Sequence, residues 1–209
     1  MIENLDIFDC NYKFIGKTDL IMAHKLGLWH QGFHCWMYNI ERNVLLIQMR
    51  KKHNGKNFLD ISSAGHLTSG EKPIDGIREI KEELGIDIDI NKLVYAGYFK
   101  EAVDGFIKDN VPFFNREFCH TYFYQYNESL NDFKIQEDEL DGIYEIKLDN
   151  LHNLFSNKIK NLEINGLFNN KKDSRIITEN DFMPRGNNLW LKALKIIQSL
   201  KNNDIEVYI

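Results

Sequence analysis

The chain has 209 residues, of which 26 are basic and 31 are acidic, so its formal net charge is −5. This charge argues against a nucleic-acid binder that relies on bulk electrostatic attraction, because no basic excess is present to meet the phosphates. A small phosphorylated substrate remains compatible, since it needs only a local basic pocket and a metal ion. The length predicts a single domain over residues 1–209, with an N-terminal hairpin or extension at 1–30 and a C-terminal loop plus helix at 157–209.

The cysteines and the N-terminus indicate a cytoplasmic protein. Cys10, Cys35 and Cys119 are odd in number and widely spaced, which is typical of reduced, mostly buried thiols and of neither a disulfide framework nor a zinc site. The N-terminus is acidic where a signal peptide would be basic, and no apolar run reaches transmembrane length. We therefore expect no membrane partner. The sequence leaves the oligomeric state open, and a homodimer is considered alongside a monomer.

Strand signals dominate the first part of the chain. An alternating pattern within residues 1–20 predicts an edge hairpin, and residues 31–49 read as two strands joined by a turn. The second of these strands is apolar almost throughout, as in a buried strand. A basic loop follows at 50–57. It is either a solvated turn or a contact for substrate phosphate, for which Arg50 and Lys51 are the candidates.

Further strands and a final helix are predicted in the second part of the chain. The strand signals lie at 93–102, 117–126 and 142–148, with a loop at 110–114. Residues 157–187 show no clear periodicity and are rich in Asn, Lys and Asp, so we expect a long loop or a surface extension there. A helix is predicted at 188–200. This order of elements favours a mixed sheet flanked by helices.

Between these parts lies the stretch GHLTSGEKPIDGIREIKEELGI, from Gly65 to Ile86. It reads as a glycine-bearing loop followed by a helix that ends at Gly85. Glu79, Glu82 and Glu83 fall at i, i+3 and i+4, so the three carboxylates share one helix face and repel one another. A hard divalent cation would offset this repulsion, and carboxylates that keep the cation partly hydrated suit Mg²⁺.

The same helix carries an apolar stripe on the face away from the glutamates, formed by Ile74, Ile77, Ile80 and Leu84. Gly76 lies within the helix, where glycine costs about 1 kcal/mol relative to alanine. We interpret it as a point of close packing between the helix and the sheet.

The stretch resembles the Nudix box, GX5EX7REUXEEXGU, in which U is a bulky aliphatic residue. Gly65 and Glu71 match the first part of the box, and the run from Arg78 to Ile86 matches every fixed position of the second part. Only six residues, Lys72–Ile77, separate Glu71 from Arg78, where the family has seven. The register of the loop against the helix therefore depends on how the structure accommodates one missing residue.

This resemblance implies an α/β (α+β) fold, the Nudix α/β/α sandwich, and Mg²⁺-dependent cleavage of a small nucleoside-diphosphate-type or other organic diphosphate, with Mn²⁺ as an alternative ion. The implied metal ligands are Gly65, Glu79, Glu82 and Glu83. Glu79 and Glu82 are also candidate catalytic residues. Glu139, from a later loop, is the leading loop candidate for the general base, and Glu117 is the second. His30 joins Arg50 and Lys51 as a candidate substrate-binding residue.

Residues 5–150 resemble the Nudix branch related to isopentenyl-diphosphate isomerase. That isomerase needs a catalytic cysteine just before the glycine-histidine of this loop, but here Ala64 precedes Gly65 and His66. Hydrolysis is thus favoured. A double-bond isomerase and a non-catalytic diphosphate sensor stay open as alternatives. His24, His30, His66 and Glu117 resemble the isomerase's metal ligands, although buried structural histidines would fit the same positions.

Overall fold

A computed structural model describes residues 3–51, 56–107, 111–186, 188–202 and 208–209. Four α-helices occur in this part of the chain: α1 (Leu20–Leu26), α2 (Arg78–Leu84), α3 (Leu148–Phe155) and α4 (Leu189–Lys201). The strands are β1 (Asn4–Phe8), β2 (Phe14–Asp19), β3 (Trp29–Asn39), β4 (Val44–Arg50), β5 (Leu59–Asp60), β6 (Ser63–His66), β7 (Val94–Ile107), β8 (Val111–Gln125), β9 (Leu140–Lys147), β10 (Leu162–Phe168) and β11 (Lys171–Ile177).

All these strands belong to one sheet, with the order β11-β10-β9-β4-β3-β1-β2 along its main path. Off this path, β5 pairs with β4, β6 and β8 pair with β3, and β7 pairs with β8. The β3–β8 pair is parallel, whereas the other pairs are antiparallel. The predicted mixed sheet with helices is confirmed.

Strand β3 is the centre of the sheet and presents a different cluster on each face. Its alternate residues Trp36 and Tyr38 belong to a core shared with α3 and α4. Phe33, Cys35 and Met37 point to the opposite face and pack in a core that includes α2. Because side chains alternate along a strand, one sequence segment supports helices on both faces, and the result is the expected three-layer sandwich.

The short strand β6 separates β3 from β4 over part of their length. β3 pairs with β6 at 32–35 and with β4 only at 38–39. The β6 segment ends in the glycine-histidine pair at 65–66, so the loop of the Nudix-like motif starts from the middle of the sheet. This placement puts the motif beside residues of β3 and β8.

The segment 157–187 is not a long loop, so that one of its two expectations is wrong. Most of it is the hairpin of β10 and β11, which extends the sheet beyond β9. Leu162 and Ile164 are buried on alternate positions of β10, but β11 is mostly exposed because it is the edge strand. An edge strand needs backbone pairing and little apolar surface, so its polar sequence KKDSRII resembles a loop.

Two further expectations need correction. The loop predicted at 110–114 is strand from Val111 onward, because β7 and β8 form a long hairpin with register continuing to Ile107 and Val111; Asn110 lies outside the described residues. Cys10 is exposed, whereas Cys35 and Cys119 are buried free thiols as expected.

Candidate active site

The helix after the Gly65 loop begins as a 3₁₀ turn, Pro73–Ile77, and continues as α2. The five residues of this turn rise by about 10 Å and turn through about 600° at 3₁₀ pitch, whereas six α-helical residues rise by about 9 Å and turn through about 600°. The tighter helix compensates for the missing residue. Arg78 therefore still reaches Glu71, with Nε–Oε1 2.8 Å and Nη2–Oε2 3.1 Å.

Two of the three motif glutamates are buried against strand β6. The Oε2 atom of Glu83 accepts hydrogen bonds from Ser63 Oγ at 2.6 Å and from the backbone N–H of Ala64 at 3.1 Å. The carboxylate of Glu79 lies against Gly65, where a Cβ atom would overlap it. Only glycine leaves room for Glu79 at this position, which explains why the loop carries glycine there.

The third glutamate lies at the rim of the site. The Glu82 side chain is 52% exposed, and its Oε2 accepts a hydrogen bond from Arg78 Nη1 at 3.1 Å. Arg78 Nη1 also donates to Glu79 Oε1 at 2.5 Å. Arg78 thus joins the loop residue Glu71 to two of the motif glutamates. Its Nη2 also donates to the carbonyl oxygen of His66 at 2.9 Å, which holds the guanidinium where it orients Glu79.

Burial has a large effect on the two inner carboxyl groups. It raises the pKa of Glu79 to about 7, although the Arg78 guanidinium opposes the shift. It raises the pKa of Glu83 to about 8, opposed by the hydrogen bond from Ser63. The positive charges of Arg78 and Arg50 offset the effect of burial on these carboxyls only in part. A bound cation is therefore favoured, because it would stabilise both ionised forms. Their hard oxygen donors fit Mg²⁺.

Three histidines from separate elements converge beside this site. One ring nitrogen from each of His24 in α1, His30 in β3 and His66 in β6 lies within 4.8 Å of the others. Glu117 Oε1 is 3.8 Å from His30 Nε2 and 3.4 Å from His66 Nε2. Among the described residues, His24 Nε2 and His30 Nε2 are buried without a hydrogen-bond partner. The structure therefore brings together the four residues that resemble metal ligands of the isomerase.

The protonation state of two of these histidines suits metal binding. Burial lowers the pKa of His24 and of His66 to about 4, so both rings are neutral near pH 7 and offer a lone pair. His30 is fully buried, and its Nδ1 lies 2.9 Å from the carbonyl oxygen of Leu28, which leaves Nε2 facing Glu117. His30 thus lies inside the cluster, and its predicted contact with substrate stays a prediction.

The other predicted substrate contacts flank the motif. Arg50 Nη1 lies 3.4 Å from Asp60 Oδ2, and the charge of Arg50 acts to lower the pKa of Glu83, so the guanidinium is near the carboxylate site. Lys51 is exposed, and its Nζ donates to the carbonyl oxygen of Glu137 at 2.6 Å. Contacts of Arg50 and Lys51 with a substrate stay predictions.

The predicted base candidate Glu139 lies on the exposed side of the same region. Its backbone oxygen accepts from the N–H of Lys51 at 2.7 Å, and its Oε1 accepts from Gln136 at 3.3 Å. Its charge contributes to the raised pKa of Glu79, so the two carboxylates interact electrostatically. Glu117, the second candidate, lies among the histidines. The role of either residue as a base stays a prediction.

A buried ion cluster next to the site has no counterpart among the predicted residues. Arg185 joins Asp60 of β5 (Nη2–Oδ2 2.8 Å) to Glu101 of β7 (Nη1–Oε2 2.6 Å), and its side chain is only 9% exposed. Burial raises the pKa of Glu101 to about 7, opposed by Arg185. The one sequence signal was Asp60, a charged residue within the apolar strand segment FLDIS. Nothing in the local sequence marks Arg185.

Ala64 occupies the position at which the isomerase alternative requires a cysteine. Ala64 is 7% exposed and lies opposite His34 in the β3–β6 pairing. The position just before Gly65 and His66 thus carries no thiol. The buried cysteines belong to β3 and β8 instead, so the isomerase alternative lacks the group that it requires there.

A glycine loop, a helix that buries two carboxylates beside it, and an arginine that orients one of them define the class of this site, which is a set of hard oxygen donors that could hold a divalent cation. Comparison with known proteins agrees with this class. The NUDIX domain family model matches residues 28–164. An uncharacterized Nudix hydrolase of Clostridium acetobutylicum is 38% identical over 191 residues, which cover 87% of this chain and 90% of that protein. Another uncharacterized Nudix hydrolase, from Listeria monocytogenes, is 29% identical over 184 residues, which cover 84% of this chain and 99% of that protein.

Solved structures show the same fold at low sequence identity. The crystal structure of DR0079 from Deinococcus radiodurans aligns with a TM-score of 0.55 and 18% identity, covering 74% of this chain and 90% of that one. A MutT/nudix family protein from Enterococcus faecalis aligns with a TM-score of 0.50 and 14% identity, and the alignment covers 84% of this chain and 64% of that one. The chain belongs to the Nudix family and is a pyrophosphohydrolase, an enzyme that hydrolyses small diphosphate substrates.

No helix among the described residues is both long and apolar enough to cross a membrane.

Proposed function

We propose that this Nudix enzyme is a Mg²⁺-dependent hydrolase that cleaves the diphosphate bond of a nucleoside-diphosphate-type or other organic diphosphate. The observation that carries the proposal is the burial of Glu79 and Glu83 against Gly65 and Ala64. Both carboxyls are costly to ionise without a counter-charge. A bound Mg²⁺ would neutralise charge on the diphosphate and lower the pKa of a bound water.

The chain's own residues would hold and orient the reacting groups. Ser63 Oγ and the Ala64 N–H fix one oxygen of Glu83, which leaves the other free as a ligand. Arg78 fixes Glu79 in the same way from the rim. Glu82 is the exposed carboxylate of the set, so it can meet both solvent and substrate. Either Glu82 or Glu139 would accept the proton of the attacking water.

The basic residues beside the site would meet the phosphates. Arg50 lies beside Asp60 and acts electrostatically on Glu83, so its guanidinium can contact a phosphate that also reaches the cation. Lys51 follows at the start of the loop and adds an exposed positive charge. His30 lies deeper, within the histidine cluster.

Substitution of the glutamates tests the proposal. Glu83→Gln and the Glu82→Gln/Glu83→Gln double variant should lose Mg²⁺-dependent phosphate release from a panel of organic diphosphates, while their circular dichroism stays that of the native protein. Glu163→Gln is the matched control, because Glu163 is exposed on β10 and its side chain accepts a hydrogen bond only from Ser174 among the described residues. Full activity of the double variant would refute the proposal. Tight diphosphate binding by the wild type without any phosphate release would favour the sensor alternative.

We also infer that His24, His30 and His66, together with Glu117, bind a second divalent cation. The support is the convergence of three ring nitrogens, of which those of His30 and His66 lie within 4 Å of Glu117 Oε1 and those of His24 and His30 are buried without partners among the described residues. Titration with Mn²⁺ followed by electron paramagnetic resonance tests this site. The His24→Gln/His66→Gln variant should bind one Mn²⁺ fewer than the wild type, and unchanged stoichiometry would contradict the inference.

A further inference from the structure

A second group of potential metal ligands lies deeper in the sheet, next to the histidine cluster. It consists of His34 on β3 and Glu117 and Cys119 on β8. One ligand atom from each lies within 4.8 Å of the other two, and all three side chains are buried. None of the motif residues belongs to this group, and its sulfur donor distinguishes it from the carboxylate site.

The strand register explains why these side chains meet. In the parallel β3–β8 pair, His30 is opposite Glu117 and Gly32 is opposite Cys119. Alternate residues point to the same face, so His34 and Cys119 face the same space, separated by a glycine. A Cβ at Gly32 would lie 2.9 Å from Glu117 Oε1. Glycine therefore keeps this part of the face open.

One ring nitrogen in this group lacks a hydrogen-bond partner among the described residues. The Nδ1 atom of His34 is buried and has no hydrogen-bond partner among the described residues, and the residue as a whole is 2% exposed. Buried polar atoms are almost always paired, so this nitrogen is available to bind a ligand. Cys119 Sγ is 3.9 Å from Glu117 Oε2. Glu117 Oε1 faces the histidine cluster. Glu117 Oε2 accepts a hydrogen bond from Asn115 Nδ2 at 2.6 Å and also faces Cys119.

We propose that His34, Glu117 and Cys119 form a binding site for a thiophilic divalent cation such as Zn²⁺. A set of one nitrogen, one oxygen and one sulfur ligand suits Zn²⁺ and does not suit Mg²⁺, which prefers oxygen. The cation binds the Cys119 thiolate, and the thiol proton is released to solvent. Glu117 then bridges this cation and the histidine cluster. The proposal does not depend on hydrolase activity.

The bond between metal and sulfur provides a direct test. The chelator-treated full-length protein, in a Cys10→Ser background that removes the exposed thiol, is titrated with Co²⁺. One equivalent should produce a thiolate-to-cobalt charge-transfer band in the near ultraviolet. The band should disappear in Cys119→Ser and persist in Cys35→Ser, the matched control, because Cys35 is equally buried on the opposite face of β3. His34→Gln should weaken Co²⁺ binding at this site by about tenfold or more.

The absence of the band in the wild type would overturn the proposal, and so would its survival in Cys119→Ser or its equal loss in Cys35→Ser. If Cys119→Ser fails to fold, X-ray absorption of the wild-type chain loaded with one Zn²⁺ decides. A sulfur at about 2.3 Å supports the site, and a shell of only nitrogen and oxygen refutes it. Glu83→Gln should lose turnover and keep the band, so failure of this proposal and failure of the hydrolase proposal are distinguishable.

Discussion

Replacing Gly76 with alanine tests whether the start of the motif helix is packed as tightly as the structure indicates. A Cβ at Gly76 would lie 2.5 Å from Cβ and Cγ of Phe33, which is fully buried in the core. Overpacking of this kind costs about 1–3 kcal/mol, and the gain from replacing a helical glycine is about 0.4–1 kcal/mol. We expect the free energy of unfolding to fall by about 1–2 kcal/mol, and the melting temperature by roughly 2–8 °C.

Urea unfolding monitored by tryptophan fluorescence measures this change. Gly105→Ala is the control, because no described atom lies within 4 Å of its added Cβ, and its stability should be equal or slightly higher. Combining Gly76→Ala with Phe33→Ala should reduce the cost of the first alanine, since Cγ and Cδ2 of Phe33, two of the three atoms that the added Cβ would meet, are then absent. A Gly76→Ala variant as stable as the wild type, or more stable, would refute the close contact of helix and sheet.

Three further predictions concern charge. The pKa values of Glu79 and Glu83, about 7 and 8 against 4.5 for an ordinary glutamate, mean that the metal-free folded state binds more protons than the unfolded state. The contribution of these two groups to stability therefore falls as the pH rises from about 4.5 to 8. Mg²⁺ should raise the melting temperature more at pH 8 than at pH 5.5. An equal rise at the two pH values would contradict this prediction. Arg185→Gln should lower the free energy of unfolding by about 3–5 kcal/mol, with partial recovery on adding Asp60→Asn; an unchanged urea midpoint would show that the buried ion cluster is not required. Arg78→Lys should lower kcat by about tenfold or more, because lysine cannot make the bidentate contact with Glu71. The Arg78 side chain is 31% exposed, so the free energy of unfolding should change by about 1 kcal/mol or less. A variant with the kcat of the wild type would argue against the orienting role of Arg78.

Local signals in the sequence predicted the motif and the elements around it. The C-terminal end of α2 at Gly85 follows from glycine's tolerance of the left-handed conformation, and its φ is 69°. The stripe of Ile80 and Leu84 is buried as its periodicity indicates. Helix α4 also agrees with its predicted range, because its apolar face is continuous.

Elements that depend on distant partners were not predictable in this way. Strand β11 has no apolar pattern of its own and exists because it pairs with β10. The pairing of Arg185 with Asp60 and Glu101 joins residues 125 and 84 positions apart. Such contacts follow from how the chain folds back on itself, and no local pattern records them.

By itself, the sequence determined the carboxylate helix of a Nudix site, since spacing along a helix decides which side chains share a face. The tertiary structure decided the rest. A 3₁₀ turn restored the contact of Arg78 with Glu71, because a tighter helix covers the same rise and rotation with one residue fewer. The sheet register decided that Glu117 faces histidines on one side and Cys119 on the other, because side-chain direction in a sheet depends on which strands become neighbours.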